Sequence, residues 1–227
     1  MNIAIIPARG GSKRIPRKNI KEFHGKPIIA YSIEAALLSG CFDKVIVSTD
    51  DKEIAEVASK YGAEIPFIRP SEISDDYATT LDVIEHAVQW YLNKGEVPDN
   101  VCCIYATAPF VNADSLKSAF KTLKNSKLDY VFSATSYAFP IQRALAMNEQ
   151  GKGQMFQPEE FNSRSQDLEE AYHDAGQFYW GTADAFLNKR AIFGANSMVE
   201  LLPRKQAQDI DTPEDWELAE ALYKVLK

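Results

Sequence analysis

NIAIIPARGGSKRIPRKN, Asn2 to Asn19, holds the transition on which the fold turns. Its apolar burst, Ile3 to Ile6, is short and bounded by turn residues, which suits a buried strand better than a helix. A loop follows. Gly10, Gly11 and Ser12 sit among five cationic side chains (Arg9, Lys13, Arg14, Arg17, Lys18) in the fourteen residues from Ile6 to Asn19. The whole chain carries a formal charge of −7, so this positive charge is a local concentration and not a property of the surface at large.

Beyond the loop, strand and helix patterns alternate. Residues 27–38 (PIIAYSIEAALL) show helical spacing through Ile29, Ile33, Ala36 and Leu37, and residues 44–49 (KVIVST) read as the next strand. Asp50, with Glu53 three residues on, predicts a helix start, with Ile54, Val57, Ala58 and Tyr61 along one face and Gly62 as its stop. A strand is expected over residues 64–69, a helix over 79–93, a strand over 101–105, a helix over 112–123 and a strand over 129–134. The rhythm lapses over 137–172, which is rich in Gln, Glu, Gly and Pro and reads as an inserted lobe or arm. It resumes with QFYWG, a short helix at 184–189, a strand at 198–202 and a last helix. Thr212, Pro213 and Asp215 open that helix as a capping box with proline in first position, and Leu218, Leu222, Val225 and Leu226 form its expected inward stripe. This order predicts an α/β fold with a mostly parallel sheet covered on both faces, in one domain of 227 residues.

Composition narrows the function. A sequence pI near 5.1 argues against nucleic acid or an anionic membrane as partner, since both need a basic surface. No apolar run reaches spanning length, and the first residues turn polar too soon for a signal peptide. Three cysteines, Cys41, Cys102 and Cys103, lack metal spacing, and two of them sit inside an apolar run. Buried thiols in a reducing, cytoplasmic compartment are the expectation.

In open parallel sheets ligands bind at the carboxyl ends of strands, so the first loop is well placed for a site. Gly10 and Gly11 allow backbone N–H groups to turn inward around an anion, and Arg9, Lys13 and Lys18 supply charge for a polyphosphate. The loop is neither a Walker loop nor G-x-G-x-x-G, which sets aside a nicotinamide-dependent oxidoreductase. A solvated basic loop is the plain alternative. In QAQDIDTPEDW, Asp209 and Asp211 flank Ile210; an extended backbone there turns both carboxylates to one side and Ile210 inward. Paired hard oxygen ligands suit Mg²⁺ completed by water and phosphates, while Asp211 alone reads equally well as a turn residue before the last helix. A phosphate pocket with a carboxylate-held metal points to nucleotidyl or phosphoryl transfer by alignment and charge stabilisation.

PARGGSKxxxxKN (Pro7 to Asn19), RPSEISDD from Arg69 and QDIDTPED from Gln208 together resemble the cytidylyltransferases that activate nine-carbon α-keto sugar acids, along essentially the whole chain. The resemblance implies a Rossmann-like three-layer nucleotidyltransferase fold, a protruding dimerisation arm at 137–172, a homodimer, and CMP transfer from CTP to the sugar acid. It places Arg9, Ser12, Lys13 and Asn19 on the base, ribose and phosphates of CTP, with Gly10 and Gly11 in the same loop and Lys18 beside them on the phosphates. Arg69 and Thr80 become further nucleotide contacts, and Asp209 and Asp211 the Mg²⁺ ligands. Lys13, Lys18, Asp209 and Asp211 thereby make up the expected catalytic set. The sugar is implied to sit about Tyr105, the stretch Gln166 to Tyr179 including Tyr172, and Phe193.

Departures bear on which sugar. Sialic acid enzymes of this family usually read QPTSP where this chain has YATAP from Tyr105, and RQDL where Ser165 precedes Gln166. FPIQRAL (Phe139 to Leu145) and AYHDAGQFYWG (Ala171 to Gly181) resemble the pseudaminic acid branch, whose sugar is less polar; an aromatic residue in place of an amide suits that change. Arg143 matches a sugar carboxylate in bidentate geometry, or packs the arm. His173 reads as structural more readily than as a base. Tyr179, alternating away from Phe178 and Trp180, is the better ligand candidate of that cluster. A CTP-binding module without catalysis is the rival from a different class.

Overall fold

The computed structural model describes residues 1–226. Six strands form the main sheet: β1 (Asn2–Pro7), β4 (Lys44–Ser48), β5 (Asn100–Ile104), β6 (Tyr130–Ser136), β9 (Tyr172–Thr182) and β10 (Ser197–Leu201). The two-residue strands β2 (Glu22–Phe23) and β3 (Lys26–Pro27) pair with each other, as do β7 (Leu145–Met147) and β8 (Gly153–Met155) on the arm. Order across the main sheet is β10-β6-β9-β5-β1-β4. β1 runs parallel to β4 and β5, and β10 parallel to β6; β9 alone is antiparallel to its neighbours. The expected mostly parallel α/β sheet is present.

Burial on both faces explains the unbroken apolar runs. Ile3, Ala4, Ile5 and Ile6 are all fully buried, with Ala4 and Ile6 in one layer and Ile3 and Ile5 in the other. Each such isoleucine contributes roughly 1.5–3 kcal/mol of burial. The first layer packs α1 (Ile29–Ser39), α2 (Lys52–Lys60) and α4 (Ala113–Asn125); the second packs α3 (Thr80–Asn93) and the short α5 (Ala183–Leu187). Cys102 and Cys103, both buried free thiols, face opposite layers, and Tyr179 lies in the layer opposite Phe178 and Trp180. A third cluster joins Phe23 and Tyr31 to Trp216, Ala219 and Tyr223 of α6 (Pro213–Leu226).

Four expectations change. Residues 64–69 form no strand: only Glu64 bridges to Ile46, because Pro66 and Pro70 interrupt the donors a ladder requires. Asp51, not Asp50, caps α2 by accepting from the Ile54 N–H at 3.0 Å. Asp50 is engaged with the first loop instead. The inward face of α6 is led by Trp216, Ala219 and Tyr223, whose aromatic rings meet Phe23 edge-on at 5.5 and 5.3 Å; of the expected stripe, Leu222 and Leu226 pack against this cluster while Leu218 and Val225 are exposed. Strand β9 begins at Tyr172, well before the QFYWG segment that announces it. Between β6 and β9 the chain forms only the β7–β8 hairpin and three short 3₁₀ turns, in keeping with the lapse of periodicity over 137–172.

Candidate active site

β1 sits between β4, reached through α1, and β5, reached from the other side, so the loops after β1 and β5 diverge there. A crevice at the strands' carboxyl ends results. It is a cavity of about 490 Å³ walled by Arg9, Ser12, Lys13, Arg14, Lys18 and Asn19 from the first loop, by Arg69, Asp75 and Asp76 from the segment before α3, by Thr80 at the start of α3, by Tyr105 after β5, and by Asp211.

The first loop is held from behind by acids. Gly10 donates its N–H to Asp50 at 2.9 Å, and a Cβ on Gly10 would lie 2.7 Å from Asp51 Oδ2, so this position admits only glycine without displacing the carboxylate. Asp51 takes both prongs of the Arg17 guanidinium, at 2.6 and 2.9 Å, while capping α2. Those contacts hold its carboxyl at about 2. Arg17 itself adopts a left-handed backbone, φ 55°. Asn19 donates to the Arg9 carbonyl at 2.9 Å and sets the loop's return. Gly10 and Gly11 thus shape the loop from outside the cavity wall, and the Gly10 N–H points to Asp50.

Inside the cavity the cations already hold partners. Arg9 pairs with Asp76 at 2.7 Å and donates to the Asp75 carbonyl at 2.7 Å, and Lys13 pairs with the other oxygen of Asp76. Lys13 and Arg9 hold the Asp76 carboxyl below the usual carboxylate range. Asp75 ties its loop down by accepting from the N–H groups of Tyr77 and Ala78, at 2.9 and 2.8 Å. Arg14 meets Asp211 at 2.9 Å, and Lys18 spans the Ile210 carbonyl and Asp211, at 2.6 and 3.2 Å. Arg69 differs. It is 5% exposed, its Nε and Nη2 have no hydrogen-bond partner among the described residues, and its ion-pair contact to Asp50 is long, 3.9 Å. Burial pushes its pKa down and, with the Arg69 charge, does the same to the neighbouring His86. Arg69 belongs to the cavity lining, but its two unpartnered nitrogens are themselves buried, and buried donors without an acceptor are the exception in folded proteins.

Ile210 is fully buried between them; Asp211 is half-buried and lines the cavity, whereas Asp209 lies outside the cavity wall, its residue surface exposed but its carboxyl packed toward the protein. Burial of its carboxyl and the charge of Asp211, then that of Asp174, raise Asp209 above its ordinary range. Two hard oxygen donors that repel each other fit a divalent cation. No group of three or more His, Cys, Asp or Glu suited to a metal is assembled among the described residues.

On the far wall, Thr80 Oγ1 lies 3.4 Å from the Tyr105 hydroxyl, and the Tyr105 and Tyr179 rings are 5.3 Å apart. Phe132 stacks beyond Tyr179, and the exposed Phe193 meets Phe132 edge-on at 4.9 Å. Arg143, Gln166 and Tyr172 lie on or beside the arm, outside the cavity wall: Arg143 donates to the Ser163 carbonyl, Tyr172 to Glu170 at 2.8 Å, and Gln166 borders a surface groove with Tyr137 and Phe139. Exposed His173 has its Nδ1 2.8 Å from the Asp174 carbonyl oxygen. Arg14 and Asp76 enter the site through tertiary pairing, Arg14 with Asp211 and Asp76 with Arg9 and Lys13, which sequence spacing does not signal.

The fold defines the class. The whole chain overlays on the structure of a CMP:2-keto-3-deoxy-manno-octonic acid synthetase complexed with CTP, at TM-score 0.72 and 17% identity, covering 100% of this chain and 99% of that one. This is the Rossmann-like three-layer fold of nucleotidyltransferases. The sequence profile of the cytidylyltransferase family matches residues 3–224, and the chain belongs to that family. It is 52% identical over 224 residues to the pseudaminic acid cytidylyltransferase of Campylobacter jejuni, covering 99% of this chain and 97% of that protein. It is 32% identical over 230 residues to the CMP-N,N'-diacetyllegionaminic acid synthase of Legionella pneumophila, covering 98% and 96%.

Proposed function

We propose that this cytidylyltransferase moves CMP from CTP to the anomeric hydroxyl of pseudaminic acid, releasing pyrophosphate. The observation that carries the chemistry is one cavity in which the cations Arg9, Lys13, Arg14, Lys18 and Arg69 share the wall with Asp211. The acceptor rests on the sequence: 52% identity to a relative named for pseudaminic acid, against 32% to one named for another sugar acid.

In this scheme Arg9, Ser12, Lys13, Asn19, Arg69 and Thr80 receive the nucleotide, and Gly10 and Gly11 keep their loop in shape. Arg9 and Lys13 exchange Asp76 for phosphate oxygens, and the unpartnered Nε and Nη2 of Arg69 take an acceptor of the nucleotide. Asp209 and Asp211 hold Mg²⁺, which neutralises phosphate charge when bound. Arg14 and Lys18, released from Asp211, turn to the phosphates. The anomeric oxygen forms its bond to the α-phosphorus as the bond to the β-phosphate oxygen breaks. The hydroxyl proton passes to solvent, and Lys13 and Lys18 stabilise charge on the departing pyrophosphate. Tyr105 and Tyr179 face the sugar, with Phe193 at the outer end of their aromatic row.

The arm at 137–172 serves as the dimerisation element. It leaves Phe139, Leu145, Met147, Phe156 and Phe161 exposed, and a second copy covers them and brings Arg143, Gln166 and Tyr172 to a sugar site. No helix among the described residues is long and apolar enough to cross a membrane, and the buried free thiols suit the cytoplasm.

Pyrophosphate release from CTP, measured with pseudaminic and sialic acids side by side, tests this. Turnover is expected with pseudaminic acid and Mg²⁺, and Asp211→Ala should lose it while remaining folded. Near-normal turnover by that variant removes the metal assignment. CTP binding without pyrophosphate release from any sugar acid makes the chain a nucleotide-binding module.

A further inference from the structure

Gln177 is bonded toward both sides of the cavity. It lies on β9, 2% exposed, where the register of β6 against β9 shifts between Phe132 and Ala134. Its backbone N–H, like that of Phe178, goes to Ser133 Oγ, at 3.3 and 3.1 Å. Interruptions of this kind re-aim side chains beside sites. The Gln177 carbonyl accepts the Tyr105 N–H at 2.9 Å, which fixes the backbone of a cavity-wall residue. The side chain reaches the other way and donates through Nε2 to the Gln206 carbonyl.

Gln206 belongs to the connector from β10 to α6, which carries Asp209 and Asp211. That connector is fastened at its ends. Leu202 donates its N–H to the Ala134 carbonyl and accepts from Thr135 Oγ1, both at 2.8 Å. At the far end Asp215 Oδ2 accepts the N–H groups of Asp211 and Thr212, at 3.1 and 2.7 Å, and Lys18 holds the Ile210 carbonyl. Residues 207–209 between them form neither helix nor strand. The Gln177 amide links the sheet to the start of this stretch. Beside it, the Asp209 carboxyl rests against β9: a Cβ on Gly176 would lie 3.6 Å from Asp209 Cγ, an ordinary contact.

Packing does not call for an amide at this position. The Gln206 carbonyl only accepts, so the NH₂ end of Gln177 must face it. Its Oε1 is then left buried without a hydrogen-bond partner among the described residues. A buried orphan acceptor costs stability, and methionine would fill a similar length without one. What the glutamine adds is the bond to Gln206, and with it the placement of the residues that follow.

We propose that Gln177 is a positioning residue for the transfer step: its side-chain amide ties the segment bearing Asp209 and Asp211 to the strand whose backbone holds Tyr105, so that the two walls of the cavity keep one spacing. This rests on the proposed transferase activity for the step it serves, but not for the tie itself.

The test is Gln177→Met in the full-length enzyme, which removes the donor and leaves the backbone bond to Tyr105 in place. In ligand-free enzyme, hydrogen exchange at Ala207 and Ile210 should quicken about tenfold or more, with no change in the middle of α6 or β9. With sugar acid, kcat should fall about 10- to 100-fold while KM stays within about threefold. The CTP dissociation constant without metal, from calorimetry, should stay within about twofold, because Gln177 is not part of the cavity wall. Mn²⁺, followed by its EPR signal in the presence of CTP, should bind about tenfold more weakly. Unchanged exchange at Ala207 and Ile210 refutes the tie. Exchange quickened evenly along the chain, or at those amides with wild-type kcat and Mn²⁺ affinity, overturns the positioning role. Gln177→Glu, whose carboxylate cannot donate to Gln206, should reproduce these effects and serves if the methionine variant misfolds. A wild-type enzyme that turns over no sugar acid sinks the proposed function instead, and the exchange and Mn²⁺ measurements still decide the role of Gln177.

Discussion

Arg69→Met separates a residue waiting for ligand from one that supports the fold. Arg69 is almost fully buried, with two N–H-bearing nitrogens unpartnered and its nearest acid 3.9 Å away. Each buried unsatisfied donor costs about 1–3 kcal/mol, part of which attraction to Asp50 returns. Methionine is similar in length, flexible and uncharged. The variant without ligand should therefore be more stable, by about 1–2 kcal/mol, or roughly 2–6 °C in Tm for a chain of this size. CTP binding should move the other way. Two charge-assisted hydrogen bonds at about 1.5–3 kcal/mol each amount to a loss of order 10²- to 10⁴-fold in affinity. Thermal denaturation and calorimetric titration with CTP read the two effects on the same preparation. His86, depressed by burial and by the Arg69 charge, should titrate higher by NMR in the variant yet still below an ordinary histidine, since burial persists. A variant that loses stability while binding CTP within about threefold of wild type would show that Arg69 serves the fold and not the nucleotide.

Two further outcomes follow from the acids behind the first loop. Gly10→Ala puts a Cβ 2.7 Å from Asp51 Oδ2 and 3.1 Å from Asp51 Cβ, so the cap on Ile54 and the Arg17 fork must both yield. The cost should be about 1–2 kcal/mol in urea denaturation, and an unchanged midpoint would contradict the packing. Asp51 titrates at about 2 in the folded protein against 3.8 for the free side chain, mainly through the Arg17 hydrogen bonds. A depressed carboxylate contributes stability that is present above the unfolded value and lost as pH falls toward the folded one. Because Arg17 is partly open to solvent, this contribution is about 1 kcal/mol and not the full shift. Stability curves of wild type and Asp51→Asn should therefore converge between pH 4 and about 2, and parallel curves would dismiss the contact.

Strands buried on both faces were legible because an apolar run such as Ile3 to Ile6 has no other use in so short a span. Where the sequence misled, a local rule lost to a tertiary one. Aliphatic spacing drew the expected stripe of α6 through Leu218, Leu222, Val225 and Leu226; Leu222 and Leu226 do pack inward, but the facing surface is built of Phe23 and Tyr31 and takes Trp216 and Tyr223 in place of Leu218 and Val225. Asp50 and Asp51 are equivalent as caps until Gly10 claims one of them. At the site, the spacing of Asp209 and Asp211 around Ile210 was sufficient to predict the inward turn of Ile210, but not that Asp211 lines the cavity while Asp209 lies outside its wall. The role of Asp76 was not visible, since its partners Arg9 and Lys13 lie more than sixty residues away in the chain.

Asp76 also gives the empty cavity a threshold. Tethered beside Arg9 and Lys13, its carboxylate acts at a local concentration that a free monovalent anion or a single phosphate in the surrounding fluid must outcompete. In the proposed function a triphosphate would engage several cations of the wall at once, and its gain in charge would exceed what one side chain withholds. The latch therefore discriminates by valence before any part of the base is inspected. It also keeps two long cationic side chains extended toward the place they will be needed, so less of their freedom remains to be lost when the nucleotide arrives.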